Sequence, residues 1–173
     1  MTDRHAPRPQ GARLYTEAER ARRDATIWTP VQGILAPLQF IAFAISLALV
    51  IRYLWTGAGY EPATVSILVK TGFLYVIMVT GAIWEKVVFG QYLFAPAFFW
   101  EDVFSFVVIA LHTAYIYTLL AGGFAPVTEM AIALAAYAAY VVNAGQFLWK
   151  LRMARLEGER EAEAAKAAGQ VAA

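Results

Sequence analysis

Four long apolar runs leave this chain few ways to fold. They cover roughly residues 31–55, 63–84, 97–120 and 126–149, and only short polar or glycine- and proline-containing pieces part them. A helix of about 20 apolar residues matches the hydrocarbon thickness of a bilayer. In lipid only helices and closed barrels satisfy all their backbone groups, and runs without period-2 alternation read as helices. Charged residues make up 16% of the chain, against about 25% in soluble domains. The fold class is therefore all-α, an integral membrane four-helix bundle. Cysteine is absent, which excludes disulfides and thiolate metal sites. Only His5 and His112 offer imidazole, so one subunit cannot build a multi-histidine metal site. A net charge of +1 gives no footing for a nucleic-acid partner.

Three segments follow. Residues 1–28 form a polar arm, with 1–13 expected to be disordered and no signal-peptide pattern. Tyr15 to Arg23 reads as a short surface helix, a basic arm near anionic headgroups. Residues 29–149 hold the four spans. The first opens with Thr29 as N-cap, Pro30 at the first helical position and Gln32 completing a capping box. It carries Pro37, where a kink is expected. Lys70 in the second span is expected to snorkel to the interface. In the fourth, Ala131, Ala135 and Ala139 are expected to let helices pack closely. Residues 150–173 form a charged, alanine-rich tail, a helix fraying by Gly169. Basic residues gather before the first span, at Lys86, and in the tail at Lys150, Arg152, Arg155, Arg160 and Lys166. The positive-inside rule then puts both termini and the 84–102 stretch in the cytoplasm.

That stretch, WEKVVFGQYLFAPAFFWED, concentrates the chemistry. Glu85, Glu101 and Asp102 sit beside aromatic rings that would partly bury them, which suits a carboxyl to general-acid work. Glu85 and Lys86 could equally be interface charges or an ion pair ending a helix. Glu101, Ser105, Val108, His112 and Tyr115 share one helical stripe, because eleven residues return within about 20°. His112 is either functional at membrane depth or bonded across helices, for instance to Asn143. Tyr137, Tyr140, Asn143 and Gln146 form a polar face that serves as packing glue or pocket lining. Phe89, Tyr92, Phe94, Phe98, Phe99 and Trp100 form either an interfacial belt or a site for a flat, π-rich ligand.

The runs WTPVQGILAPLQF from Trp28, MVTGAIWEK from Met78, FGQYLFAPAFFWED from Phe89 and ALHTAY from Ala110 resemble the 3-vinyl bacteriochlorophyllide hydratase family of phototrophic bacteria. The resemblance spans Leu14 to Lys150. It implies a carbon–oxygen hydro-lyase of bacteriochlorophyll a biosynthesis that adds water across the 3-vinyl group of a chlorophyllide, giving 3-(1-hydroxyethyl). Hydration needs one acid to protonate the terminal vinyl carbon and one base beside a water. The catalytic candidates are Glu85, Glu101, Asp102 and His112, with Glu101 or Glu85 as acid and Asp102 or His112 as base. The substrate-binding candidates are Lys86, Phe89, Tyr92, Phe94, Phe98, Phe99, Trp100, Ser105, Tyr115 and Asn143. Lys86, Lys150 and Arg152 are available to the substrate propionate. No cofactor is expected, since the magnesium belongs to the substrate, and His112 could instead be its axial ligand. The expected setting is the bacterial inner membrane, cytoplasmic or intracytoplasmic, with lipid contacts. A homo-oligomer and association with other pathway enzymes both stay open. The rival reading is a non-enzymatic tetrapyrrole-binding or photosynthetic assembly protein. A small transporter would need an inverted repeat or broken helices, and the sequence carries neither.

Overall fold

The computed structural model describes residues 14–171, with the side chains of 161, 162 and 164–171 excepted. The arm read as disordered, with His5, lies outside the described residues. The elements are α1 (Glu17–Ala25), α2 (Trp28–Thr56), α3 (Tyr60–Phe89), α4 (Phe99–Ala121) and α5 (Pro126–Val171), with no strand among the described residues. Among the described residues four helices are long and apolar enough to cross a membrane: α2, α3, α4, and α5 over Pro126–Arg160. Short connections pair α2 with α3 and α4 with α5, and lighter α2–α5 and α3–α4 contacts join the two hairpins. Phe43, Val50, Ile67, Val108, Met130 and Tyr137 form the common core. Many outward side chains of the spans are apolar too, among them Ile34, Phe40, Ile45, Val69, Val107 and Val142. An apolar exterior of this extent suits lipid rather than water.

The helix ends show where local signals held and where tertiary contacts overrode them. The Thr29 capping box does not form. Helix α2 already begins at Trp28, and Ile27 before it is in the helical region. Thr29 Oγ1 instead donates to the Arg23 carbonyl (2.6 Å) and accepts from Trp84 Nε1 (3.0 Å). Gln32 Nε2 donates across to Thr80 Oγ1 (2.8 Å). Pro30 still sits in the first turn, where N–H groups have no intrahelical partner. The box that does form is Thr16 with Glu19, and it starts α1. α2 runs unbroken through Pro37. At Gly57 and Gly90 a positive φ (70° and 86°) ends α2 and α3, a backbone state that glycine adopts without strain.

Three further expectations are corrected. Ala131 and Ala135 face outward. The packing face of α5 is Met130, Ala133, Tyr137 and Tyr140, all buried. A strict spacing of four drifts about 40° per step, whereas alternating threes and fours keep one face inward. The tail is helical, as expected, but α5 runs on to Val171 rather than fraying by Gly169. The basic arm is not simply solvated. Leu14 and Tyr15 pack with Trp84, Val88, Phe89 and Phe98, Tyr15 stacks on Phe89 at 5.8 Å, and Arg22 Nε donates to the Val88 carbonyl (2.8 Å). Leu14 N–H also donates to Glu157 Oε2 (3.3 Å), which ties the segment before α1 to α5. Burial pushes the Tyr15 phenol up, with the nearby Arg23 guanidinium opposing it.

Candidate active site

At the end where α1 packs, α3 finishes, a loop of residues 90–98 turns, and α4 begins. The turn brings the three carboxyls of the central stretch together under the loop. Glu85, Glu101 and Asp102 are each at most 5% exposed. The Phe94 N–H donates to Asp102 Oδ2 (2.6 Å), and the next amide, Ala95 N–H, donates to Glu85 Oε2 (3.2 Å). Phe94 has a positive φ of 59°, uncommon for a bulky residue. These two amide bonds hold it there. Bonded to consecutive amides, the Glu85 and Asp102 carboxyls share one side of the loop. Glu101 is engaged differently, by an ion pair with Lys150 Nζ at 2.6 Å. Lys150 also donates to the Ala97 carbonyl and lies 4.8 Å over the Phe98 ring.

Glu85 and Lys86 do not pair. Consecutive helical residues point about 100° apart, and Lys86 is exposed, donating to the Gly90 carbonyl (2.8 Å) and lying over Tyr92 (5.3 Å). The aromatic set divides in two. Phe98 is buried and Phe89 half-buried, packed with Trp84 and Tyr15 as structural filler. Tyr92, Phe94, Phe99 and Trp100 are exposed. Phe94 stacks on Phe106 (5.5 Å) and meets Phe99 (5.7 Å), which meets Trp100 (5.5 Å). This outer terrace directly adjoins the carboxyls, because the same residue, Phe94, supplies the ring and the amide held by Asp102.

The stripe on α4 points inward as its spacing requires: Glu101, Ser105, Val108, His112 and Tyr115 are all buried. Its partners differ from expectation. Asn143 Nδ2 donates to Ser105 Oγ (2.9 Å), not to His112. His112 Nδ1 faces the Val108 carbonyl (2.7 Å), and its Nε2 meets Lys70 Nζ (2.6 Å). Because a carbonyl can only accept, Nδ1 carries a proton and Nε2 accepts from Lys70. Lys70 therefore does not snorkel. It is fully buried, 4.4 Å over the Tyr140 ring. Depth alone suggested the interface, but facing decides, and Ala63, Ile67, Lys70 and Leu74 form one inward stripe on α3. That alternation of fours and threes was readable in the sequence. Arg152 is exposed on α5.

A family model described as 2-vinyl bacteriochlorophyllide hydratase (BCHF) matches residues 15–153. The chain belongs to the 2-vinyl bacteriochlorophyllide hydratase family. Its matched segment takes in all three carboxyls, Lys150 and the Lys70–His112 pair. A protein named 2-vinyl bacteriochlorophyllide hydratase from Rhodobacter capsulatus is 72% identical over 153 residues, covering 88% of this chain and 89% of the relative. One of the same name from Cereibacter sphaeroides is 73% identical over 154 residues, covering 89% and 96%. No solved structure matches the chain.

Proposed function

We propose that this protein adds water across the vinyl group of a bacteriochlorophyllide-type macrocycle, and that Glu85 and Asp102 together move the protons. The vinyl carries locant 2 in the older macrocycle numbering and 3 in the systematic one. The product is the 1-hydroxyethyl substituent, and the enzyme is a hydro-lyase of bacteriochlorophyll biosynthesis. The names of the two relatives support the reaction.

The observation that carries the role assignment is that two buried carboxyls are held on consecutive amides of one loop. Two neighbouring carboxyls in a desolvated site resist ionising together, so one of them keeps its proton. Such a pair is acid and base at once. The protonated member delivers its proton to the terminal vinyl carbon. The resulting cation is delocalised into the macrocycle, and the ionised member accepts a proton from the attacking water. Glu101 is held by Lys150 in an ion pair, so its part is to orient the start of α4 rather than to serve as acid. His112 lies about 16 Å along the helix from Glu101, and Lys70 occupies its Nε2. It acts neither as base at this vinyl group nor, unless Lys70 moves, as axial ligand to the substrate's magnesium.

The exposed terrace of Tyr92, Phe94, Phe99, Trp100 and Phe106 gives the macrocycle a π surface at headgroup level. Lys86, exposed beside Tyr92, is the cation for its propionate. The chain's own residues need no resident cofactor for this chemistry. The spans form a four-helix bundle in the bacterial inner membrane, with both ends and the carboxyl mouth cytoplasmic by their basic residues. The test is Glu85→Gln, in membranes given vinyl substrate without reductant or nucleotide. Wild type blue-shifts the macrocycle absorbance. The variant is expected to bind pigment but lose hydration by about a hundredfold or more. A wild-type rate would refute the assignment, and pigment binding without hydration by wild type would favour a binding protein.

A further inference from the structure

A hydratase in a membrane must hold its second substrate, water, where the solvent around it is hydrocarbon. Resting on that reading, we propose that the buried amides of Gln39, Asn143 and Gln146 form the site that binds and orients the reacting water, one turn above the carboxyl pair.

The placement comes from packing register. Ser46 Oγ bonds Tyr137 OH (2.5 Å), and the next contact along is Phe43 with Tyr140, ring centroids 4.8 Å apart. α2 and α5 run in opposite directions. One turn further toward the carboxyls, Gln39 on α2 therefore comes level with Asn143 on α5. Asn143 reaches α4 through Ser105 (2.9 Å). Ser105 stands three residues after Asp102, a rise of about 5 Å. Gln146 lies one turn nearer Lys150 on the same helix.

The chemistry of the unmatched atoms names the ligand. Gln39 is 2% exposed and neither end of its amide has a protein partner. Asn143 Oδ1 and Gln146 Oε1 are likewise sealed off and unpaired. A buried polar group left without a partner is destabilising, so a chain that keeps three such side chains has a use for them. The set offers carbonyl acceptors and one NH2 donor. A cation would oppose the NH2, an anion would oppose the carbonyls, and an apolar group would satisfy nothing. Water donates and accepts, and a buried water typically takes two to four such bonds.

A water that donates one proton to one of these carbonyls and the other to the ionised carboxylate, and accepts from Gln39 Nε2, keeps one lone pair free. The carboxyl proton goes to the terminal vinyl carbon as the C=C π pair forms the new C–H bond. The water lone pair forms the C–O bond at the inner carbon, and the surplus water proton returns to the carboxylate. One vinyl group and one water become one 1-hydroxyethyl group, with the carboxyl pair restored.

Radiolytic labelling tests the site without relying on activity, because ionised bound water marks side chains that bulk solvent does not reach. Tyr140, 8% exposed, is expected to label in wild type. In Gln39→Leu the label is expected to fall away, with kcat down about tenfold from one lost orienting bond and pigment affinity unchanged. Gln39→Leu is also expected to melt no lower than wild type, since it removes unpaired polar atoms. A merely structural amide would show the reverse, stability lost and kcat kept. Gln39→Asn, which keeps the amide, is expected to recover part of the label. The proposal is overturned if Tyr140 stays unlabelled in wild type, or if Gln39→Leu hydrates at the wild-type rate. If Glu85→Gln proves active while Gln39→Leu is slow and unlabelled, the water site stands and the carboxyl assignment falls.

Discussion

Replacing Lys150 by methionine would leave Glu101 buried beside the carboxyl pair without its cation. The lysine makes three contacts: the 2.6 Å ion pair, a hydrogen bond to the Ala97 carbonyl, and the 4.8 Å approach to Phe98. Methionine keeps the apolar stem against Phe98 and loses the other two. Removing one partner of a buried pair costs about 3–5 kcal/mol, mostly as the penalty on the charge left behind. The Glu101 side chain is 6% exposed but that of Lys150 is 25% exposed, so solvent relieves part of the penalty and the lower end, about 3 kcal/mol, applies. Glu101→Gln together with Lys150→Met removes both charges, and its expected cost is about 1 kcal/mol, so adding Glu101→Gln recovers about 2 kcal/mol of the loss. Equilibrium unfolding in mixed micelles reads these values, with Trp84 and Trp100 as fluorescent reporters close by. A Lys150→Met variant within about 0.5 kcal/mol of wild type, the range of ordinary surface changes, would refute the view that this pair fastens the mouth.

Lys70→Met should be near neutral or stabilising, because it removes a fully buried amine that meets no carboxylate among the described residues. Adding His112→Leu, which takes away the imidazole acceptor left unpaired, should raise stability by a further ~1–3 kcal/mol; a double variant less stable than wild type would show that the pair holds the core together. Gly90→Ala should cost about 1–2 kcal/mol from its φ of 86° alone, since nothing lies within 4 Å of the added methyl. An unchanged unfolding midpoint would mean that the loop relaxes freely at that point.

Much of the fold was legible because the signals are local. Each span could be placed from composition and length, and the inward stripe from Glu101 to Tyr115 from helical spacing, since both depend only on neighbours along the chain. The misreadings share one cause. Thr29 and Gln32 fit a capping box in isolation, but Arg23, Trp84 and Thr80 compete for them once helices pack. Lys70 at its depth fits snorkelling if α3 turns that face outward, and it does not. The aromatic loop reads as one patch, yet Phe89 and Phe98 pack inward with Tyr15 while Phe94, Phe99 and Trp100 face out.

For the candidate site, the sequence by itself determined which side chains are present, at what depth, and on which helical stripe, because hydropathy and a period of 3.6 are properties of one segment at a time. Which groups meet was decided only by the tertiary structure. The Glu101–Lys150 pair, the Asp102 and Glu85 bonds to consecutive loop amides, and the Lys70–His112 contact each depend on how helices rotate against one another. That rotation is set by packing summed over whole faces, which no single segment encodes.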